Sequence, residues 1–248
     1  MIKIVDLYKS FDGNAVLKGV NIDIFDNEVM VILGGSGAGK TVLVKHILGL
    51  LKPDRGKIFV DGVDITAIGD DELLKIIRKF GMVFQGAALF DSMNVYENIQ
   101  FGLKRCTDLS HKEIDKRIKD SLHRVGLKGM ERMMPSQLSG GMKKRVGLAR
   151  AIALEPKFLI YDEPTTGLDP IMADVINNLI LKTKNELSIT SIIITHDIKS
   201  AYKVGDRLSM LYDGRIIEIG VPEEFKNSSN PIVQQFIKGE SSGPIEVM

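Results

Sequence analysis

Tryptophan is absent from the 248 residues, and cysteine occurs once, as Cys106. One thiol cannot close a disulfide within the chain, which points to a core held by burial alone and to a reducing, cytoplasmic setting. Proline is scarce, at 8 residues, and no heptad series, internal repeat or low-complexity tract is visible, so collagen-like and repeat architectures are excluded. An excess of charge is missing too. With 33 basic against 32 acidic side chains the net charge is +1, which argues against a protein that coats nucleic acid, and no nucleic-acid partner is expected. Long apolar runs are also lacking: Ile189–Thr195 and Phe158–Tyr161 fall far short of the roughly 20 residues a spanning helix needs. Residues 1–6, Met-Ile-Lys-Ile-Val-Asp, do not open a charged-then-apolar leader. Any membrane role is therefore expected to come through a partner. What is present is the composition of an ordinary globular protein, 44% hydrophobic and 26% charged. Its length suits one large domain or two small ones, at roughly 100–200 residues per domain.

Period-two patterning in Val20–Ile24, Val29–Leu33 and Lys57–Val60 predicts strands, partly antiparallel, with Asp61-Gly62 as a hairpin-type turn. From Gly39 to Leu50 the apolar positions Leu43, Val44, Ile47 and Leu48 follow helical spacing, with Gly49 and Pro53 as the stop. Further on, Ser110-His111-Lys112-Glu113 is a capping-box pattern, and Ile114, Ile118, Leu122 and Val125 mark one helical face ending at Gly126. The middle of the chain therefore reads as a mostly helical insert. Between Lys104 and Arg132 it carries nine basic and five acidic residues, a bias that suits a solvated helix surface or lipid headgroups. Beyond residue 157, strand-like Phe158–Asp162 and Ile192–Thr195 alternate with helix-like 171–187 and 198–204, the order of a parallel sheet with crossover helices. An α/β nucleotide-binding core follows.

Gly34-Gly35-Ser36-Gly37-Ala38-Gly39-Lys40-Thr41 fits G-x-x-x-x-G-K-[ST] and lies between an apolar strand and an amphipathic helix. Glycines let backbone N–H groups turn toward phosphate oxygens, and the helix N-terminus adds partial positive charge. Lys40 then reaches the β- and γ-phosphates and Thr41 ligates Mg²⁺. Strand 158–161 ends in Asp162-Glu163, which offers one carboxylate to the Mg²⁺ shell through water and a second as general base beside the attacking water. Leu138-Ser139-Gly140-Gly141-Met142 opens another helix-like stretch, a second anion-ready N-terminus without a phosphate lysine. It makes sense as the complement to another chain's nucleotide, in a head-to-tail homodimer with two shared sites.

Gly34–Thr41, Gln85, Leu138–Met142, Asp162-Glu163, Gly167-Leu168-Asp169 and His196, in this order, resemble the Walker A, Q-loop, signature, Walker B, D-loop and H-loop motifs of ATP-binding-cassette ATPases. The resemblance implies a P-loop fold with a mixed-sheet core, an N-terminal antiparallel β region and a helical subdomain. One cassette would fill residues 1–248, with 1–85 and 158–248 as the nucleotide-binding core, about 86–157 as the helical subdomain and 239–248 as a loose tail. It also implies that Phe11 stacks on adenine and that Gln85 touches Mg²⁺ and water while coupling to a permease. His196 would hold the γ-phosphate, Ser139 and Gly141 would bind the partner chain's γ-phosphate, and Asp169 would link the two sites. Each has a plainer alternative taken singly: His196 after an Ile-rich strand, and Phe11, would both pass for core residues.

Residues 85–95, 138–145 and Gln235-Phe236-Ile237-Lys238-Gly239 are further similar to Mla-type ATPases, which serve MCE-protein lipid transporters of the bacterial envelope. Asp91 and Met142 stand where many small-solute importer ATPases carry Pro and Gln, and Met142 cannot make an amide hydrogen bond. This likeness implies ATP and Mg²⁺ as ligands and a homodimer beneath an integral permease on the cytoplasmic face of the inner membrane. An MCE substrate-binding protein and a STAS-domain protein would complete the assembly. Three rivals stay open: a cassette for another solute, a soluble cassette ATPase such as an iron–sulfur assembly component, and a module that uses ATP only to dimerise.

Overall fold

Alternating apolar and polar residues dominate the start of the chain, and the structure, a computed structural model describing residues 1–245, places strands there. By contact the chain divides into two compact units, residues 1–73 with those from 194 on, and residues 74–193. The first unit begins with β1 (Ile2–Phe11), β2 (Asn14–Ile24) and β3 (Val29–Leu33), then α1 (Lys40–Ile47), β4 (Arg55–Val60) and β5 (Val63–Asp64). Helix α2 (Asp70–Ile77) leads out of it. The second unit continues with β6 (Phe80–Val83), α3 (Val95–Cys106), α4 (His111–Arg124) and a 3₁₀ turn at Pro135–Gln137. After these come α5 (Gly140–Ile152), β7 (Phe158–Asp162), α6 (Pro170–Leu187) and β8 (Thr190–Thr195). The chain then adds α7 (Ile198–Val204), β9 (Arg207–Tyr212), β10 (Arg215–Gly220), α8 (Pro222–Lys226) and α9 (Pro231–Lys238) to the first unit.

In the first unit an antiparallel sheet runs in the order β2-β1-β4-β5, with Ile2, Ile4 and Leu7 meeting Val20, Ile22 and Ile24 in the core. Asp61 and Gly62 both take left-handed backbone angles, φ 50 and 81, as a tight two-residue hairpin requires. Strand β3 pairs in parallel with β9, and β10 closes on β9 antiparallel. All five residues of β3 are buried, so the period-two pattern expected at Val29–Leu33 is instead a continuous apolar run, as a strand covered on both faces requires. Helix α1 stops at Ile47, before the expected Leu50. Gly49, at φ 65, bonds the His46 carbonyl at 3.0 Å, and the Leu50 N–H reaches that of Lys45 at 2.8 Å, so the last turn is closed by a left-handed cap.

In the second unit β6 and β7 are parallel, with Phe80 opposite Phe158 and Val83 opposite Tyr161, and β8 follows β7 in the sheet order. The Ser110–Glu113 capping box forms as expected. A second one, Asn94 with Glu97, starts α3 and was equally visible as Asn-x-x-Glu in the sequence. Helix α5 packs against α3, α4, α6 and β6 and so forms the centre of this unit.

Residues 239–245 adopt neither helix nor strand, yet the buried Gln235 side chain holds them. Its amide donates to the carbonyl oxygens of Glu240 and Ile245, both at 3.2 Å, and accepts from the Ile245 N–H at 2.6 Å. The rest of the expected tail, 246–248, lies outside the described residues. Among the described residues no helix is long and apolar enough to cross a membrane.

Candidate functional site

Each unit carries its own share of the residues singled out by sequence. In the first, β3 delivers the chain into the loop 34–39, and Lys40 and Thr41 open α1. The four glycines serve different ends. Gly37 and Gly39 sit at φ 77 and 100, angles open mainly to glycine, and so let the loop curl around its N–H groups. Gly34 is excluded from bearing a side chain for another reason: a Cβ there would lie 2.5 Å from the Leu211 carbonyl oxygen of β9. Around Gly35 there is open space. Ser36 and Gly37 are exposed, and Ala38 is half-buried. The Lys40 Nζ folds back over the loop, 2.7 Å from the Gly34 and 2.8 Å from the Gly35 carbonyl oxygen. No acidic residue occupies the first turn of α1. Backbone donors, a helix N-terminus and one ammonium make this an anion cradle.

Phe11, 39% exposed at the end of β1, and His196, exposed just after β8, are not core residues, so the plainer reading of both fails. Thr41 is exposed at the head of α1. Among the described residues no three His, Cys, Asp or Glu gather as a resident metal site. The exposed Thr41 hydroxyl is an oxygen donor of the kind Mg²⁺ takes, an ion that keeps waters and arrives with substrate phosphates.

In the second unit Gln85 follows β6 and is exposed on a turn whose next residues, Ala87 and Ala88, both take left-handed angles, φ 61 and 46. Asp162 ends β7, and Glu163, only 9% exposed, bends away at φ 48. Thr166 donates its hydroxyl to Glu163 Oε2 at 2.9 Å. Leu138 is buried, Ser139 caps α5 by accepting from the Met142 N–H at 3.3 Å, and Gly140 and Gly141 form the first turn. A Cβ on Gly141 would collide with the Met172 methyl of α6. Asp169 caps α6, accepting from the Ile171 and Met172 N–H groups, each at 3.0 Å.

Two residues that sequence reasoning passed over fasten these pieces together within the second unit. Lys144 is buried, and its Nζ donates to the carbonyl oxygens of Glu163, Pro164 and Thr166 at 3.2, 2.8 and 2.8 Å. Burial pushes its pKa below the ordinary lysine range, opposed by the nearby Glu163 charge. Arg150 grips the strained turn after Gln85, donating to the Ala88 and Ala87 carbonyl oxygens at 2.7 Å each, and burial lowers its pKa as well. Gly147 lets α5 approach that turn, since a Cβ there would sit 3.3 Å from the Ala87 methyl. The signal for Lys144 was its position one turn after Gly141 and one before Leu148, on the apolar face of α5.

A model of the ABC transporter family matches residues 17–166. The chain belongs to that family. As an ABC ATPase it binds nucleotide and hydrolyses ATP. It is 41% identical over 98% of its length to the probable ribonucleotide transport ATP-binding protein mkl of Mycobacterium leprae, covering 70% of that protein. With the intermembrane phospholipid transport system ATP-binding protein MlaF of Haemophilus influenzae it shares 37% identity over 99% of this chain and 93% of the other. Among solved structures it is similar to cbiO1 of Clostridium perfringens, part of the transporter complex cbiONQ, at a TM-score of 0.86 and 37% identity over 92% of this chain and 90% of that one. A dimeric ATP-binding cassette in a post-hydrolysis state with ADP and phosphate matches at a TM-score of 0.81 and 33% identity, over 90% and 99% of the two chains. The ABC fold, with its α/β core and helical stretch, is thereby the expected one.

Proposed function

We propose that this ABC ATPase drives phospholipid transport in the bacterial envelope, as a homodimer bound to an integral permease at the cytoplasmic face of the inner membrane. An MCE substrate-binding protein and a STAS-domain protein are the further partners. The observation that carries the cargo is the likeness to MlaF, which runs almost end to end in both chains. A second cargo has an observation of its own in the mycobacterial relatives named for ribonucleotide transport.

In the proposed cycle the loop 34–39 and Lys40 hold the phosphates of ATP, and Phe11 stacks on the base. Thr41, Gln85 and, through water, Asp162 are the residues that would hold Mg²⁺, which supplies neutralisation of the β,γ-phosphate charge. Glu163 takes a proton from water as its oxygen bonds to the γ-phosphorus and the bond to the β,γ-bridging oxygen breaks, leaving ADP and phosphate. The buried setting of Glu163 suits a base that must exclude bulk water. His196 holds the γ-phosphate from the same chain, while Leu138–Met142 of a second copy close on it with the Ser139 hydroxyl and the backbone of Gly140 and Gly141. Asp169 communicates between the two sites.

The test is to tag the chain in its host, extract membranes in mild detergent and identify what co-purifies. Integral permease, an MCE-type protein and bound phospholipid support the proposal. A permease with ribonucleotide-dependent ATPase stimulation moves the cargo to the second reading, and exclusively soluble partners discard transport.

A further inference from the structure

We propose that Lys144, on the helix that begins with Ser139-Gly140-Gly141, is the positioning residue for Glu163. This rests on the reading of Glu163 as general base given above.

Three observations carry it. The first is the use of the ammonium: a lysine Nζ has three N–H donors, and three backbone carbonyls of one turn, those of Glu163, Pro164 and Thr166, receive them. The second is its cost. A lysine 8% exposed gives up hydration that an apolar side chain of the same length would never have needed, so its presence in the core is explained by its donors and not by its volume. The third is the state of the turn it holds. Glu163 is a non-glycine residue at φ 48, a conformation that persists only where the surroundings over-determine it. Two backbone bonds within the turn are long, Thr166 N–H to the Glu163 carbonyl at 3.4 Å and Leu168 N–H to that of Thr165 at 3.2 Å. Lys144 provides the stronger, charge-assisted ties. The same turn carries Thr166, whose hydroxyl meets the Glu163 carboxylate, so fixing the backbone also aims the side chain.

Lys144 lies in the same 13-residue helix as the signature glycines, Gly140 and Gly141. The helix assigned to a second copy's nucleotide is thus the one that holds this chain's own base, and a displacement of its N-terminus is passed to Glu163 through one side chain. An ammonium radiates three donors from a point, whereas a guanidinium is a flat fork, so arginine should replace it only in part.

The experiment compares wild type, Lys144→Met, Lys144→Arg and Glu163→Gln as full chains with the permease, measuring ATP turnover and, separately, affinity for a fluorescent ATP analogue. With the base displaced, Lys144→Met should lower kcat about 10- to 100-fold. KM and analogue affinity should stay within about twofold, and Lys144→Arg should recover part of the loss. Added to Glu163→Gln, Lys144→Met should change the residual rate by less than about twofold, because the group it positions is already gone. Unchanged kcat in Lys144→Met, or a loss that multiplies fully with that of Glu163→Gln, overturns the proposal while leaving Glu163 as base. Wild-type turnover in Glu163→Gln instead removes the base assignment itself. Should Lys144→Met fail to fold, Lys144→Gln, which keeps two donors, is judged by the same criteria.

Discussion

The phosphate loop and the turn around Glu163 are stabilised in opposite ways. Residues 34–41 are largely self-supporting: the loop's own lysine bonds its own carbonyls, six and five positions back. The turn 163–166 borrows its support from Lys144, nineteen to twenty-two residues earlier. A cradle that must fit every nucleotide alike gains from being local and pre-formed. If Glu163 is the base proposed above, it gains from being held by an element that something else can move.

Breaking that contrast gives an ordered series of effects. Largest is Glu163→Gln, which takes away the proposed proton acceptor: ATP turnover should fall about 10²- to 10⁴-fold while ATP still binds, and an ATP-loaded dimer should accumulate on gel filtration. Next is Lys40→Ala, whose loss should appear in nucleotide affinity as well as turnover, since the cation belongs to the cradle itself. Equilibrium binding that matched wild type would remove Lys40 from the phosphate contacts. Lys144→Met comes third, with its loss confined to kcat. A smaller effect separates two glycines of one motif. Gly34→Ala, with a Cβ driven onto the Leu211 carbonyl, should cost about 1–3 kcal/mol of stability by overpacking, and Gly35→Ala, in open space, far less. Chemical denaturation of both variants reads the difference, and equal losses would mean that β9 yields. Smallest is an effect of pH on α1. Burial lowers the pKa of His46, so below the unfolded value near 6.5 protons bind the unfolded chain preferentially. Stability should therefore drop between pH 7 and 5, and His46→Gln should flatten that slope in thermal melts.

The same contrast explains what could be read from the sequence. The loop 34–41 was legible because its chemistry is contiguous and its strand-loop-helix setting is local. Asp162-Glu163 and Ser139-Gly140-Gly141 were legible as motifs, and Ser110–Glu113 as a cap, for the same reason. Lys144 and Arg150 were not, because each acts on carbonyls of residues far along the chain, and a backbone oxygen leaves no mark in the residue names. Gly34, expected in the phosphate loop, carries a second constraint that the sequence does not show, the close approach of the β9 backbone. Helix α3 is announced by the cap Asn94 with Glu97 rather than by apolar spacing. The pairing of β3 with β9, which sets Val31 opposite Leu208 and Ile32 opposite Ser209, lay beyond any pattern within one strand.

Gln235 completes the picture at the other end of the chain. By giving a hydrogen to the Ile245 oxygen and taking one from its nitrogen, a side-chain amide impersonates a neighbouring peptide group. Such a clasp grips main chain and is blind to the side chain it holds. The hold on Ile245 therefore depends on the Gln235 amide, and glutamate at 235 would set oxygen against oxygen there.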